Sequence, residues 1–119
     1  MKKIIIVEDN VDISQVLNKR FTAAGYVTEI FSNGMDLVSR LRKPEGQPEA
    51  LILDLMIPGR MGHELLNTVK SLWPDVKIFI YSSREEYKER IPQDFIEGFF
   101  IKTEGIDKLL LAVEKSLKG

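Results

Sequence analysis

Five polar side chains follow short apolar runs of the chain, and their types suit phosphoryl chemistry. They are Glu8, Asp9, Asp54, Ser82 and Lys102. Three carboxylates that lie together repel one another unless a cation is bound, and such hard oxygen ligands suit Mg²⁺ or the similar Mn²⁺. With the metal bound, one carboxylate can attack a phosphoryl group while the lysine and the metal neutralise charge on its equatorial oxygens. A hydroxyl group can donate a hydrogen bond to one of those oxygens.

The apolar runs are the predicted strands that must bring these side chains together. They occupy residues 4–7, 26–31, 50–53, 76–81 and 98–101. Three of them are dense in β-branched and apolar residues, as strands covered on both faces are. Segments with helical spacing separate them, which predicts a five-stranded parallel sheet with helices on both faces. Ligands bind outside the carboxyl ends of strands in such sheets, so the five polar residues are expected at one edge.

Apolar residues spaced three and four apart predict the intervening helices. Gly25 ends the first of these helices and Pro74 the third. The inward-facing residues are predicted to be Ile13, Val16, Leu17, Phe21 and Ala24; Leu37, Val38 and Leu41; Leu65, Leu66, Val69, Leu72 and Trp73; and Ile106, Leu109, Leu110, Val113 and Leu117. The segment 84–92 is the weakest of the five helices, because it has few apolar residues and Pro92 breaks it.

Composition restricts the class of protein. The 119 residues suffice for one domain, residues 1–119, with a single core. Seventeen basic and eighteen acidic residues leave no charge footprint for nucleic acid or an anionic membrane. The absence of cysteine excludes disulfides and thiolate metal sites. No apolar stretch approaches the roughly 20 residues that span a bilayer, and Glu8 and Asp9 interrupt the apolar start too early for a signal peptide. We expect a cytoplasmic domain.

Each candidate residue also has an ordinary structural interpretation. Acids after a strand often cap a helix, a lysine there is usually at the surface, and Ser82 could cap the next helix. The coincidence of five such positions at one edge favours chemistry. Four other acids stand in helix-start or turn contexts and are interpreted as structural: Asp36, Asp75, Asp94 and Asp107. His63 is the single histidine, and a solvated helix face is favoured because one imidazole makes no metal site.

At these residues the chain resembles the receiver domains of two-component response regulators, which have a flavodoxin-like (βα)5 fold, over essentially its whole length. The acidic pair Glu8 and Asp9 follows the first strand. Residues 54–62, Asp-Leu-Met-Ile-Pro-Gly-Arg-Met-Gly, match the phosphoacceptor loop of that family, with Pro58 four residues after the acid. Ser82 stands at the family's switch Ser or Thr, and Lys102 at its phosphate-binding lysine.

The resemblance implies how the reaction would proceed. Asp54 would accept a phosphoryl group from a histidine kinase or a histidine phosphotransfer protein. Asp9 would hold Mg²⁺ directly and Glu8 through water, with the backbone carbonyl of Met56 completing the protein ligands. Such a domain assists its own phosphorylation and dephosphorylation and is not an enzyme with a separate substrate. Met56 and Arg84 would border the path of the water that hydrolyses the phosphoryl group, and so would set its lifetime.

The resemblance also implies a switch. Ser82 would move toward the phosphoryl group, and Phe99 would turn inward to fill the vacated space. The changed surface would serve a downstream protein or an effector domain missing from this chain.

Three departures from the family pattern affect these expectations. Thr103 replaces the proline that usually follows the lysine; a cis bond without proline costs about 3 kcal/mol, so the Lys102–Thr103 bond is expected to be trans or strained. Pro92 shortens the fourth helix, and residues 92–97 replace the usual Ala-Gly-Ala run. These changes fall on the face that family members use for dimerisation or partner docking.

Three other functions are possible for an α/β domain with these residues. A nucleotide-binding domain is disfavoured because neither G-x-G-x-x-G nor G-x-x-x-x-G-K-[ST] follows a strand. A phosphatase of the haloacid-dehalogenase type needs a second acid two residues after the nucleophile, where Met56 stands. A pseudo-receiver, an interaction module that works without phosphorylation, is the remaining alternative, and the intact set of five polar residues argues against it.

Overall fold

The protein folds around a parallel β-sheet, as seen in a computed structural model that describes residues 2–56 and 62–118, without the side chains of Gly62 and His63. Five strands lie in the order β2-β1-β3-β4-β5, and each pairs in parallel with its neighbours. Their bounds are β1 Lys3–Val7, β2 Val27–Phe31, β3 Ala50–Leu53, β4 Lys77–Ser82 and β5 Gly98–Ile101. The predicted sheet is confirmed to within one residue at every strand end. Pro58 of the acceptor loop lies outside the described residues.

Four α-helices accompany the sheet in the described part of the chain. They are α1 Val11–Ala23, α2 Gly34–Leu41, α3 Gly62–Leu72 and α4 Asp107–Leu117. Asparagine side chains cap the first two helices by accepting hydrogen bonds from backbone N–H groups of the first turn. Gly25 follows α1 with a φ of 97°, which confirms the predicted stop, since glycine adopts positive φ at little cost. Within the described residues, no helix has the length and apolar character needed to cross a membrane.

Alternation of side chains along the strands gives the sheet two apolar cores. Ile5 and Val7 of β1 face one side, where residues of α2 and α3 cover them. Ile4 and Ile6 face the other side, where residues of α1 and α4 cover them. The helices therefore lie on both faces, as predicted, and they leave the ends of the strands open for a site.

The predicted helix over residues 84–92 is wrong in type. The segment forms the 3₁₀ helices Glu85–Arg90 and Gln93–Phe95. Its hydrogen bonds run from residue i to residue i−3, as from the N–H of Ile91 to the carbonyl of Lys88. Pro92 has no N–H group to continue a ladder, and Ile91 is the one residue of 84–92 that is fully buried. The fourth helix of the expected (βα)5 pattern is thus replaced by two short 3₁₀ turns.

Three residues predicted to face inward are exposed: Val16, Ala24 and Leu72. Val16 and Leu72 each precede a buried residue, Leu17 and Trp73. One step along a helix rotates a side chain by about 100°, which places both at the margin of the apolar stripe. Ala24 lies just beyond the end of α1.

The acids interpreted as structural occupy the predicted contexts. Asp36, Asp94 and Asp107 lie in the first turns of α2, the second 3₁₀ helix and α4, and Asp75 lies in the turn before β4. His63 lies in α3, and its side chain is outside the described part of the structure.

Candidate functional site

Three predicted acids meet at the carboxyl end of the sheet. Glu8 and Asp9 follow β1, and Asp54 follows β3. The chain leaves β1 toward β2 on one side, while β3 lies on the other, so the crevice between them is the point at which the strand order reverses. One carboxylate oxygen from each acid lies within 4.8 Å of the others. This is the one such cluster among residues 2–56 and 62–118.

Lys102 lies between two of the carboxylates. Its Nζ is 2.8 Å from Asp54 Oδ2 and 2.5 Å from Glu8 Oε1. The lysine comes directly after β5 and is only 14% exposed, and both carboxylates are buried. Burial alone would lower the pKa of Lys102, but the two carboxylates outweigh burial and raise it. The lysine is therefore a fixed positive charge beside Asp54.

The oxygens of the cluster suit a divalent cation. Glu8 Oε2 accepts a hydrogen bond from the N–H of Asn10, and Asp54 Oδ1 accepts one from the N–H of Met56, both at 3.0 Å. Glu8 Oε1 is buried and pairs with the Lys102 ammonium. Burial raises the pKa of Glu8, although Lys102 and the Asn10 N–H act to lower it. Three carboxylates, each with an oxygen within 4.8 Å of the others, are compatible with a bound divalent metal, which prefers hard oxygen ligands.

The predicted switch residues occupy the neighbouring strands. Ser82 is the last residue of β4 rather than the first after it, and it is fully buried. Its Oγ accepts a hydrogen bond from the N–H of Arg84 at 3.1 Å, which leaves its own proton available to donate. Phe99 of β5 is partly buried against the core on the α2 and α3 side. The side chain of Arg84 is 55% exposed and pairs with Glu86 at 3.2 Å.

The Lys102–Thr103 bond is trans, because the described residues contain no cis peptide bond. Residues Lys102–Glu104 form a short 3₁₀ turn that ends at Gly105, whose φ is 90°. Replacing the expected proline by Thr103 therefore leaves Lys102 in contact with both acids.

One residue at the site was missed by the sequence analysis. Tyr81 is 6% exposed, and Lys102 Nζ lies 5.9 Å from the centroid of its ring. Burial raises the pKa of Tyr81; Lys102 opposes this effect and Glu8 adds to it, so both charges lie within electrostatic reach of the phenol. In the sequence, Tyr81 is one residue of an apolar strand, and nothing there indicates that its ring lies beside Lys102.

This sheet order, with acids at the β1 and β3 ends and a lysine after β5, defines a receiver-type site, and comparison with known proteins agrees. The family model described as "Response regulator receiver domain" matches residues 4–114. The chain belongs to this family of two-component signalling domains. The match sets aside the nucleotide-binding and phosphatase alternatives.

Individual relatives support the assignment. The chain is 31% identical to sporulation initiation phosphotransferase F of Bacillus subtilis over 119 residues, covering 98% of this chain and 94% of that protein. It is 26% identical to response regulator MprA of Mycobacterium ulcerans over 89 residues, covering 75% of this chain but 38% of that protein. The structure matches response regulator protein TrrA from Thermotoga maritima, solved in complex with Mg²⁺-BeF, with a TM-score of 0.86 and 25% identity, covering 98% of this chain and 100% of that one.

Proposed function

We propose that Asp54 of this receiver domain accepts a phosphoryl group from a histidine kinase or a histidine phosphotransfer protein in a Mg²⁺-dependent reaction. The observation that carries the proposal is the placement of Lys102 between Asp54 and Glu8, beside Asp9, at the open end of the sheet. Two relatives add support. One is named a phosphotransferase, and the other was solved with Mg²⁺ and BeF, a group whose fluorines stand in for phosphoryl oxygens.

Phosphoryl transfer here needs a held nucleophile and a fixed countercharge. The Asp54 carboxylate would attack the phosphorus, forming an acyl phosphate, while the bond from phosphorus to the donor nitrogen breaks and the nitrogen keeps the electron pair. The Met56 N–H holds Asp54 Oδ1 and thereby leaves Oδ2 on the Lys102 side for attack. Lys102 would then neutralise the equatorial phosphoryl oxygens.

The metal would be held by Glu8, Asp9, Asp54 and the backbone carbonyl of Met56. When bound, a divalent cation offsets the mutual repulsion of the carboxylates and the charge of the phosphoryl group. Mg²⁺ is preferred, with Mn²⁺ as its substitute, because the side-chain donors are all oxygens.

The direct test is the intact mass of the wild-type protein after incubation with acetyl phosphate. We expect a gain of one phosphoryl group with Mg²⁺ and little gain with excess chelator. A protein that binds Mg²⁺ and gains no mass would instead favour the pseudo-receiver, whose surface works without phosphorylation.

Asp9 is expected to contribute strongly to metal binding. Replacing Asp9 by asparagine removes a charge from the cluster, and we expect Mg²⁺ affinity to fall about tenfold. The same change is expected to raise the melting temperature of the metal-free protein, since clustered carboxylates repel. Titration calorimetry measures the affinity, and the control is Asp75→Asn, a turn residue at the opposite end of the sheet. Equal affinities in wild type and Asp9→Asn would place the metal elsewhere.

We further propose that Ser82 and Phe99 carry the conformational response to phosphorylation. The free proton of the Ser82 hydroxyl can be donated to a phosphoryl oxygen, and movement of β4's end would release the adjoining 3₁₀ helices. Phe99 and two residues of that segment, Tyr87 and Phe95, are partly buried against the same core, and such partly buried packing can rearrange more readily than a fully buried core.

This switch makes a prediction for NMR. Fluoroberyllate with Mg²⁺ is expected to shift amide resonances from Ser82 through the 3₁₀ helices to Phe99, and Ser82→Ala is expected to confine the shifts to the neighbourhood of Asp54. Shifts confined to that neighbourhood in the wild type would exclude the switch.

The remaining expectations are part of the proposal. Residues 1–119 would act as a single receiver domain in the cytoplasm, promoting their own phosphorylation and dephosphorylation rather than turning over a separate substrate. The output would be contact with a downstream protein or with an effector domain. The net charge of −1 and the absence of cysteine support this setting and favour no contact of this domain with nucleic acid or a membrane.

A further inference from the structure

Tyr81 and Lys102 share one face of the sheet. Tyr81 pairs with Phe100 in the register of β4 and β5, and side chains alternate along a strand, so Lys102 continues the face of Phe100. Lys102 Nζ accordingly lies 5.9 Å from the centroid of the Tyr81 ring, within the roughly 6 Å range of cation–π attraction. The ring is buried in the core shared with α1 and α4, so its own position is fixed by packing.

Gly98 contributes to keeping the space over the Tyr81 ring open for the Lys102 side chain. A Cβ atom added at Gly98 would lie 2.7 Å from the Phe100 ring, so Phe100 leans back toward the start of β5. Lys102, two residues further along the strand, extends over the neighbouring Tyr81 ring. The packing of β5 thus directs the aromatic residue away from the site and the lysine toward it.

The ring contact differs from the other two contacts of Lys102 in one respect. The carboxylates of Asp54 and Glu8 belong to the proposed reaction, because Asp54 becomes an acyl phosphate and Glu8 faces the metal. The Tyr81 ring takes no part in either event. A lysine side chain has many rotamers, and ordering it costs conformational entropy, so a contact that persists through the reaction reduces that cost.

We propose that Tyr81 is a positioning residue, whose ring holds the Lys102 ammonium at the acceptor site while Asp54 is phosphorylated. The expected effect on phosphorylation rests on the proposed function. The part of Tyr81 that acts is the aromatic ring and not the hydroxyl group. Tyr81→Phe should therefore behave as the wild type, and Tyr81→Leu should not. Phe79→Leu is the matched control, since Phe79 is buried in the same core two residues earlier on β4.

The first measurement needs no phosphoryl donor. Ring currents shift the proton resonances of a side chain that lies over an aromatic face. We expect the Lys102 side-chain protons to move toward random-coil shifts in Tyr81→Leu and to keep their wild-type shifts in Tyr81→Phe and Phe79→Leu. Unchanged Lys102 shifts in Tyr81→Leu would overturn the contact. This outcome is independent of whether the wild type accepts a phosphoryl group.

The second measurement is the rate of phosphorylation by acetyl phosphate at saturating Mg²⁺. We expect the apparent second-order rate constant of Tyr81→Leu to fall about threefold to tenfold, the range that loss of one such contact produces. Tyr81→Phe and Phe79→Leu should retain the wild-type value when rates are corrected for the folded fraction. In a Lys102→Met background, Tyr81→Leu should produce no further loss, because its effect acts through the lysine.

Two outcomes would overturn the positioning role. One is an equal loss in Tyr81→Leu and Phe79→Leu, which would reflect general loosening of the core. The other is an undiminished effect of Tyr81→Leu in the Lys102→Met background. A wild-type protein that takes no phosphoryl group would contradict the proposed function, while the NMR measurement would still decide whether Tyr81 orders Lys102.

Discussion

A variant in which alanine replaces Asp54 is expected to gain no phosphoryl group from acetyl phosphate and Mg²⁺, whereas the wild type gains one. Asp54 is the acid that Lys102 and the Met56 N–H hold from two sides, at 2.8 and 3.0 Å. Alanine removes the nucleophilic oxygen altogether, so the expected effect on the rate is complete loss rather than a partial one. Intact-mass spectrometry of both proteins measures it.

Two further variants make this experiment specific. Asp54→Asn keeps the shape of the side chain and should also remain unmodified. Asp36→Asn alters an acid that accepts a hydrogen bond from Asn33 at the start of α2, and this variant should gain one phosphoryl group like the wild type. An equal gain of mass in the wild type and in Asp54→Ala would show that another residue is the acceptor.

The set of residues that meet at the carboxyl edge of the sheet was predictable, because it depends only on the order of strands and helices along the chain. The β-α alternation specifies a parallel sheet, and a parallel sheet collects the residues after its strands at one end. Strands β3 and β5 begin and end at the predicted residues, and Glu8, Asp9, Asp54 and Lys102 meet as expected. Buried strands are easily recognised in a sequence because nearly every position in them is apolar.

The 3₁₀ helices were not predictable from apolar spacing. The pattern over residues 84–92 is too weak to distinguish hydrogen bonds to residue i−3 from those to i−4, and tertiary packing decides between them. Ser82 falls within β4 because the ladder extends to Ile101, which the identity of the serine does not reveal.

The position of Tyr81 beside Lys102 was also not predictable from the sequence, because it too depends on the folded sheet. Within residues 76–81 it counts as one apolar side chain among several, and its role depends on which residue of β5 lies beside it. Strand register, with Tyr81 opposite Phe100 and Lys102 two residues further, is a property of the folded sheet. The contact between Lys102 and Glu8 is likewise a product of two distant strand ends that only the fold joins.

The phosphoryl group on Asp54 is expected to be long-lived, lasting minutes or more. Hydrolysis needs a water in line with the bond that breaks, and positioning of that water supplies much of the rate. Met56 and Arg84 are the side chains expected to border its path. Met56 is 43% exposed and offers the water neither a donor nor a useful acceptor. The guanidinium of Arg84 cannot act as a general base, and it is paired with Glu86.

Introducing groups that can orient the water should therefore shorten the lifetime. We expect the double variant Met56→Asn with Arg84→Glu to lose phosphate roughly tenfold faster than the wild type, since the amide and the carboxylate can both hold a water near the phosphorus. The measurement is phosphate release after removal of the donor at constant Mg²⁺. Glu86→Gln serves as the control, because it frees Arg84 from its partner without adding a group beside the acceptor.

The two single variants divide the effect between the positions. Met56 follows Asp54 by two residues and its N–H contacts the Asp54 carboxylate, so Met56→Asn should account for most of the acceleration. Arg84 must leave Glu86 before it can approach a phosphoryl oxygen, so Arg84→Glu should contribute less alone than together with Met56→Asn. A double variant that releases phosphate no faster than the wild type would show that these two positions do not govern the lifetime.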